Sequence, residues 1–391
     1  MMKLSVKRIV LSGICLLASI VLIAGVFITI RLINITVYPD AKARVTSQSP
    51  GKEYNVQRSR NNLSGMNFGL ALAAPREGDW GVVFQESDFE DAQKAGFSYI
   101  RVQVRFFSHL TADENGYRLN KKIMSRLDWV INQILKRNMT AIITLYNLVP
   151  DEKLHFESNL ERKNNEEKFL AVWDILSKRY KDYSHKLYFE LANEPHRPIT
   201  ANLWNEYARK AIAKIRASGG NNTDRMIIVG VHIGIGWIIH NWDQINGIDD
   251  LVLPSAEVDP NIMVTFHYYN PYSFTYQGQT YTRDLAMSSL IWKGNTWVNS
   301  DKQKAYVKGD FDKIQRWAQT NQRQIILGEF GVSIYADLGS QARWTRLVRQ
   351  EAESRQMIWL FWDFYSQDKL GSLYNQSTRA WRQPILDALL Q

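Results

Sequence analysis

Two glutamates occupy matching places in this chain. Glu194 closes the run Leu187-Tyr188-Phe189-Glu190-Leu191-Ala192-Asn193-Glu194-Pro195, and Glu329 closes Arg323-Gln324-Ile325-Ile326-Leu327-Gly328-Glu329-Phe330-Gly331. Each apolar run reads as a buried strand, and Pro195, with no N–H and a fixed φ, ends ladder pairing directly after Glu194. Taken alone, an Asn-Glu-Pro corner is turn punctuation, because Asn and Pro are ordinary turn residues. The second corner, its carboxylate bracketed by Gly328 and Gly331 so that backbone and ligand approach closely, changes that reading. Parallel strands bring such tips to one face of a sheet or barrel, where one Glu protonates a leaving group while the other attacks an anomeric carbon. Glu190 competes with Glu194, since period-two counting puts both on one strand face. The tip position favours Glu194 and leaves Glu190 as a buried structural partner.

Other residues could complete such a site. Arg101 ends a strand of apolar neighbours, so its charge must be paired or face a cleft, and Glu329 is the expected partner. His267 and Tyr269 alternate on one strand face and can point inward together. Trp359 and Trp362 are candidates for the cleft floor or for wall packing, with the tip position favouring Trp362. Glu194, as the proton donor, is expected to have a raised pKa from a partly apolar site and from the charge of Glu329. No Cys/His cluster, His-Glu-x-x-His or Gly-Lys phosphate loop occurs, so neither metal nor cofactor is expected. The Gly234-Ile235-Gly236 stretch is too weak a signal for nucleotide binding and reads as a loop with His232 and Trp237 bordering the cleft.

Positioning these residues takes many elements. From Leu63 onward β-type runs alternate with amphipathic stretches, which predicts an α/β chain of parallel strands and crossover helices. The strands are expected over 63–68, 97–104, 138–146, 187–193, 225–231, 261–268, 323–329 and 356–362. Ile123, Leu127, Val130, Ile131, Ile134 and Leu135 make one helical stripe, and further helices are expected over 201–218, 311–320 and 341–354. Residues 270–305 read as a long loop whose Tyr272, Phe274, Tyr276, Tyr281, Trp292 and Trp297 either stack on sugar or pack the loop onto the body.

In order, the motifs Gly65-Met66-Asn67-Phe68-Gly69, Glu77-Gly78-Asp79-Trp80-Gly81, Tyr99-Ile100-Arg101-Val102, Asn193-Glu194-Pro195-His196, Phe266-His267-Tyr268-Tyr269-Asn270-Pro271 and Gly328-Glu329-Phe330-Gly331 span about the last five-sixths of the chain. Together they resemble glycoside hydrolase family 5, retaining β-glycanases on a (β/α)8 TIM barrel. The resemblance implies Glu194 as acid/base, Glu329 as nucleophile, and Arg101, Asn193, His267, Tyr269 and Trp362 around the substrate. Where many members carry histidines after the third strand this chain has Tyr146 and Asn147, and Leu70 and Ala73 stand where Asn and Glu are frequent. Substrate choice is accordingly less defined than chemistry. A cellulase-like endo-β-1,4-glycanase is implied, with mannan or a self-produced exopolysaccharide, acted on by hydrolysis or transglycosylation, as alternatives. A non-catalytic glycan-binding protein is the contrary reading, opposed by the presence of both glutamates.

Composition fits this. With 45% hydrophobic and 22% charged residues the chain can build one large domain. The net charge of +9 is dispersed among 39 acidic residues without a nucleic-acid motif, so no nucleic-acid partner is expected. Cys15, the single cysteine, lies in an apolar N-terminal run and follows Ile14 rather than a small residue, against lipid attachment. Residues 9–30 carry no charge, long enough to span ~30 Å of hydrocarbon. Lys3, Lys7 and Arg8 precede the run and only Arg31 closely follows, so the expected arrangement is a cytoplasmic 1–8, a single-pass anchor over 9–30, a polar tether over 31–62 and an external domain over 63–391. A cleaved signal peptide on a secreted protein is the alternative.

Overall fold

The computed structural model describes residues 63–391 except 149–157, 197, 236–241, 281–290, 366 and 368. The proposed cytoplasmic segment, anchor and tether thus lie outside the described residues, as do Trp237 and Tyr281. Among the described residues no helix is long and apolar enough to cross a membrane.

Eight parallel strands close into a barrel: β1 Ser64–Phe68, β2 Tyr99–Val104, β3 Thr140–Leu145, β4 Leu187–Glu190, β5 Ile227–Gly230, β6 Ile262–Tyr268, β7 Gln324–Phe330 and β8 Ile358–Phe361, each beside its sequence neighbours and β8 beside β1. The strands are buried almost throughout, as continuous Val/Ile/Leu runs in a barrel wall must be. Outward side chains such as Ile100, Val102 and Val104 meet the helices, while Ile142, Ile228, Met263, Ile326, Ile358 and Leu360 form a separate plug inside. Polar interior residues stand above that plug, toward the carboxyl ends of the strands.

The principal helices are α1 Glu86–Ala95, α2 Lys121–Leu135, α3 Asn159–Tyr180, α4 Ala201–Ala217, a single-turn α5 Gln244–Gly247, α6 Asp301–Asn321, α7 Leu338–Glu353 and α8 Gln383–Leu390. The predicted stripe of α2 is realised, with Ile123, Leu127, Val130, Ile131 and Ile134 buried. Asn120, Ser158, Thr200, Ser300 and Asp337 accept backbone N–H bonds as N-caps of α2, α3, α4, α6 and α7.

Three expectations shift. The sixth helix starts at Asp301, ten residues before the expected 311, because Ser300 and Gln303 form a capping box that the apolar period does not register. Strand pairing of β4 stops at Glu190, four residues before Glu194, and β8 stops before Trp362. Of the aromatic loop residues, Phe274 and Trp297 join the main core, whereas Tyr272, Tyr276 and Trp292 gather beside Tyr269 and Trp362.

Candidate active site

The segment after β4 leaves the ladder but is fixed by single bonds. The Leu191 N–H donates to Ile228 O (3.0 Å), the Asn193 N–H to Leu145 O (2.8 Å), and the Trp173 indole N–H to Leu191 O (3.1 Å). These bonds carry the chain to Glu194, whose φ of +45° lies in the left-handed region, and the Ile233 N–H holds Pro195 O at 2.8 Å. The carboxylate therefore comes from a strained corner beyond the strand, and Pro195 does not itself end the pairing.

On the opposite wall the β7 register shifts against both β6 and β8 around Glu329. Gly328 is required there, since a Cβ would stand 2.2 Å from Thr265 Oγ1 and 3.0 Å from His267 Nε2. At Gly331 a Cβ would meet Trp362 O at 2.3 Å. Both bracketing glycines thus make room for neighbouring protein groups, where the sequence suggested room for ligand.

Arg101 organises the floor and is wholly buried. Its Nε and Nη2 donate to the two Glu190 oxygens (2.6 Å each), Nη1 to Glu329 Oε1 and Asn67 Oδ1 (2.8 Å each), and Nη2 also to Asn193 Oδ1 (2.8 Å). All five guanidinium donors are used. Glu329 is thus one partner of Arg101, as expected, and Glu190 is a bidentate second one. Asn67, in turn, donates to Gly328 O and Leu360 O across the barrel.

Glu329 Oε1 accepts from Arg101 and from Gln103 Nε2 (2.9 Å), while Oε2 accepts from Tyr269 Oη (2.9 Å). Burial first, then the Glu329 charge, pushes the Tyr269 phenol well above its usual value, so it remains a donor. His267 Nδ1 lies 2.8 Å from Glu194 Oε1 and 3.5 Å from Glu329 Oε2, with its backbone N–H held by Gln244 Oε1 (2.7 Å). An oxygen of each glutamate and a His267 ring nitrogen all fall within 4.8 Å of one another. That spacing could also hold a cation, but the Arg101 guanidinium already in contact with Glu329 opposes one.

Burial raises both carboxyls. On Glu194 the hydrogen bond and charge of His267 outweigh it and hold the group below the usual carboxylate range, contrary to the raised value expected from sequence. On Glu329 burial, aided by the charge of Glu194, wins over His267 and Arg101 and the group lies above that range.

Asn193 turns its Oδ1 toward Arg101 and Gln103, which leaves its NH2 for the cleft. Trp362 lies over Gly69, where a Cβ would meet its ring at 2.4 Å, and packs with Tyr269, Tyr272 and Trp292. Tyr146 and Asn147 stand just past β3, Asn147 with φ +63°. The Tyr146 ring takes the Arg105 guanidinium at 5.1 Å and Trp80 edge-on at 6.2 Å. His232 Nε2 is tied to Ile199 O at 2.7 Å.

A cellulase (glycosyl hydrolase family 5) model matches residues 50–368. The chain belongs to that family. Endoglucanase H of Acetivibrio thermocellus is 30% identical over 346 residues, which is 88% of this family 5 chain and 34% of that protein. The chain thus spans about a third of that relative and 47% of the cellulase/esterase CelE of the same organism. Among solved structures, Cel5A of Thermotoga maritima in complex with mannotriose superposes with a TM-score of 0.73 at 33% identity, covering 84% of this chain and 98% of that one. The cellulose synthase subunit Z (CcsZ) of Clostridioides difficile gives 0.71 at 32% identity, covering 84% and 99%.

Gln103 escaped the sequence reading, and Asn67 entered it only as part of the Gly65–Gly69 motif, with no role assigned. Gln103 carried a signal, a polar residue two positions after Arg101 on the same face of an apolar strand.

Proposed function

We propose that this family 5 chain is a retaining endo-β-glycanase that hydrolyses a β-1,4-linked polysaccharide, glucan first, by double displacement. The observation that carries the reading is the carboxylate pair, with oxygens of Glu194 and Glu329 within 4.8 Å. Retaining enzymes keep their carboxyls about 5–5.5 Å apart, while inverting ones need about 6.5–9.5 Å to admit water.

Glu329 attacks the anomeric carbon through Oε2, the oxygen nearer His267, while Arg101 and Gln103 anchor Oε1. Glu194 gives its proton to the departing glycosidic oxygen, then takes one from the water that releases the sugar. The depressed Glu194 of the ligand-free cleft becomes an acid when sugar displaces water. Desolvation raises the Glu194 carboxyl toward its protonated form. Arg101 and Gln103, both donating to Glu329 Oε1, favour its ionised form.

The Thermotoga relative was solved with mannotriose and with cellobiose, which makes β-mannan the second substrate to test. The name of the Clostridioides relative makes a self-produced cellulose a third. Residues 9–30 anchor the domain to the membrane, with 31–62 as tether and the cleft outside the cytoplasm; the charge-free run and the flanking Lys3, Lys7 and Arg8 support this.

Reducing ends released from a panel of β-1,4-glucan, mannan and xyloglucan test the activity. Glu329→Ala should abolish turnover, and azide should restore part of it with a product of opposite anomeric configuration, because a small anion fills the vacated site. Silence on every polymer, or wild-type turnover in the unrescued variant, overturns the reading.

A further inference from the structure

We propose that Gln103 is a positioning residue for Glu329, acting chiefly on the second displacement by stabilising the carboxylate as it leaves the sugar. The inference rests on the double-displacement reading above and deepens it.

The geometry fixes which way Gln103 faces. Its side chain is 1% exposed, and Nε2 lies 2.9 Å from Glu329 Oε1 and 3.1 Å from Asn193 Oδ1. An ionised carboxylate has no donor, and Asn193 Oδ1 already accepts from Arg101, so only the NH2 end of Gln103 satisfies both. Both its donors are thereby committed, one to the nucleophile and one to the residue preceding Glu194. A single amide on β2 thus ties the two walls that carry the glutamates.

That commitment treats the Glu329 oxygens unequally. Oε1 takes Arg101 and Gln103, whereas Oε2 takes Tyr269. In the first step a bond forms from Oε2 to the anomeric carbon, the bond to the leaving oxygen breaks with a proton from Glu194, and Oε1 becomes the carbonyl oxygen of a neutral ester. In the second step water attacks the anomeric carbon and yields its proton to Glu194, the bond to Oε2 breaks, and the electron pair returns to Glu329. A donor on Oε1 is held more strongly by the charged carboxylate than by the ester. Gln103 therefore favours the departure of Glu329 more than its attack, and its loss should fall on the second step.

The test compares Gln103→Leu with wild type on a dinitrophenyl β-cellobioside, whose good leaving group makes release of the glycosyl-enzyme limiting. A hydrogen bond to a charged group corresponds to about ten- to a hundredfold, so kcat should fall by that factor. KM should fall in parallel, leaving kcat/KM, which reports the first step, changed by less than about threefold. If Gln103→Leu melts early, Gln103→Met is read the same way. Equal loss in kcat and kcat/KM, or an unchanged kcat, overturns the proposal. Wild-type protein inert on the aryl glycoside and on every polymer would instead overturn the underlying assignment.

Discussion

Arg101→Lys conserves a positive charge at the cleft floor and removes the fork that distributes it. Five donors, in fixed planar geometry, currently reach two Glu190 oxygens, Glu329, Asn67 and Asn193. A lysine ammonium has three donors at one point and cannot bridge Glu190 and Glu329 together. One carboxylate is then left buried without its cation, at a cost of about 3–5 kcal/mol. At about 2–4 °C per kcal/mol for a domain of this order, melting should drop by about 6–20 °C. Losing one preorganised contact to the reacting carboxylate should lower kcat by about a hundredfold. The double variant Arg101→Met with Glu190→Met removes one of the two carboxylates but still leaves Glu329 buried without its cation, so it should melt no higher than Arg101→Lys and stay inactive. Thermal melts and polymer assays read both. An Arg101→Lys variant that melts within about 2 °C of wild type and keeps kcat within about threefold would refute the argument that the fork, rather than charge alone, holds Glu329.

Glu194→Gln should slow polysaccharides far more than dinitrophenyl glycosides, whose departure needs little protonation, while Glu190→Gln should lack such selectivity; a reversed pattern on the two substrates rejects the assignment of the acid. His267 holds the folded Glu194 carboxyl below its unfolded value, so the interaction stabilises above the unfolded value of about 4.3 and is lost as pH falls through the depressed folded value. His267→Ala should therefore flatten the acid-side fall of melting temperature, and an unchanged slope would count against it. Removing residues 1–62 should give a soluble domain with wild-type turnover, checked by sedimentation and polymer assay, since the barrel begins at Ser64.

The sequence by itself determined parallel strands with crossovers and offered Glu194 and Glu329 as candidates, while the closed barrel was implied by the resemblance to family 5. Continuous apolar runs separated by helical stripes permit little besides parallel strands with crossovers, and β1 to β8 appear in the predicted order because that pattern is local. Glu194 and Glu329 stood out as candidates because a carboxylate after a buried run, next to Pro or Gly, is a local anomaly. The ends of β4 and β8 were not, since pairing depends on where the neighbouring strand still has a free partner. Only the tertiary structure decided who holds whom. Glu190 and Glu194 share a strand-face parity, yet one is bonded to Arg101 on the floor and the other to His267 at the rim. The direction of the Glu194 shift followed from the same fact, because a buried carboxyl moves according to the donor that reaches it. Gln103 meets Glu329 across 226 positions of sequence, and closure of the barrel is what puts that amide and that carboxylate 2.9 Å apart.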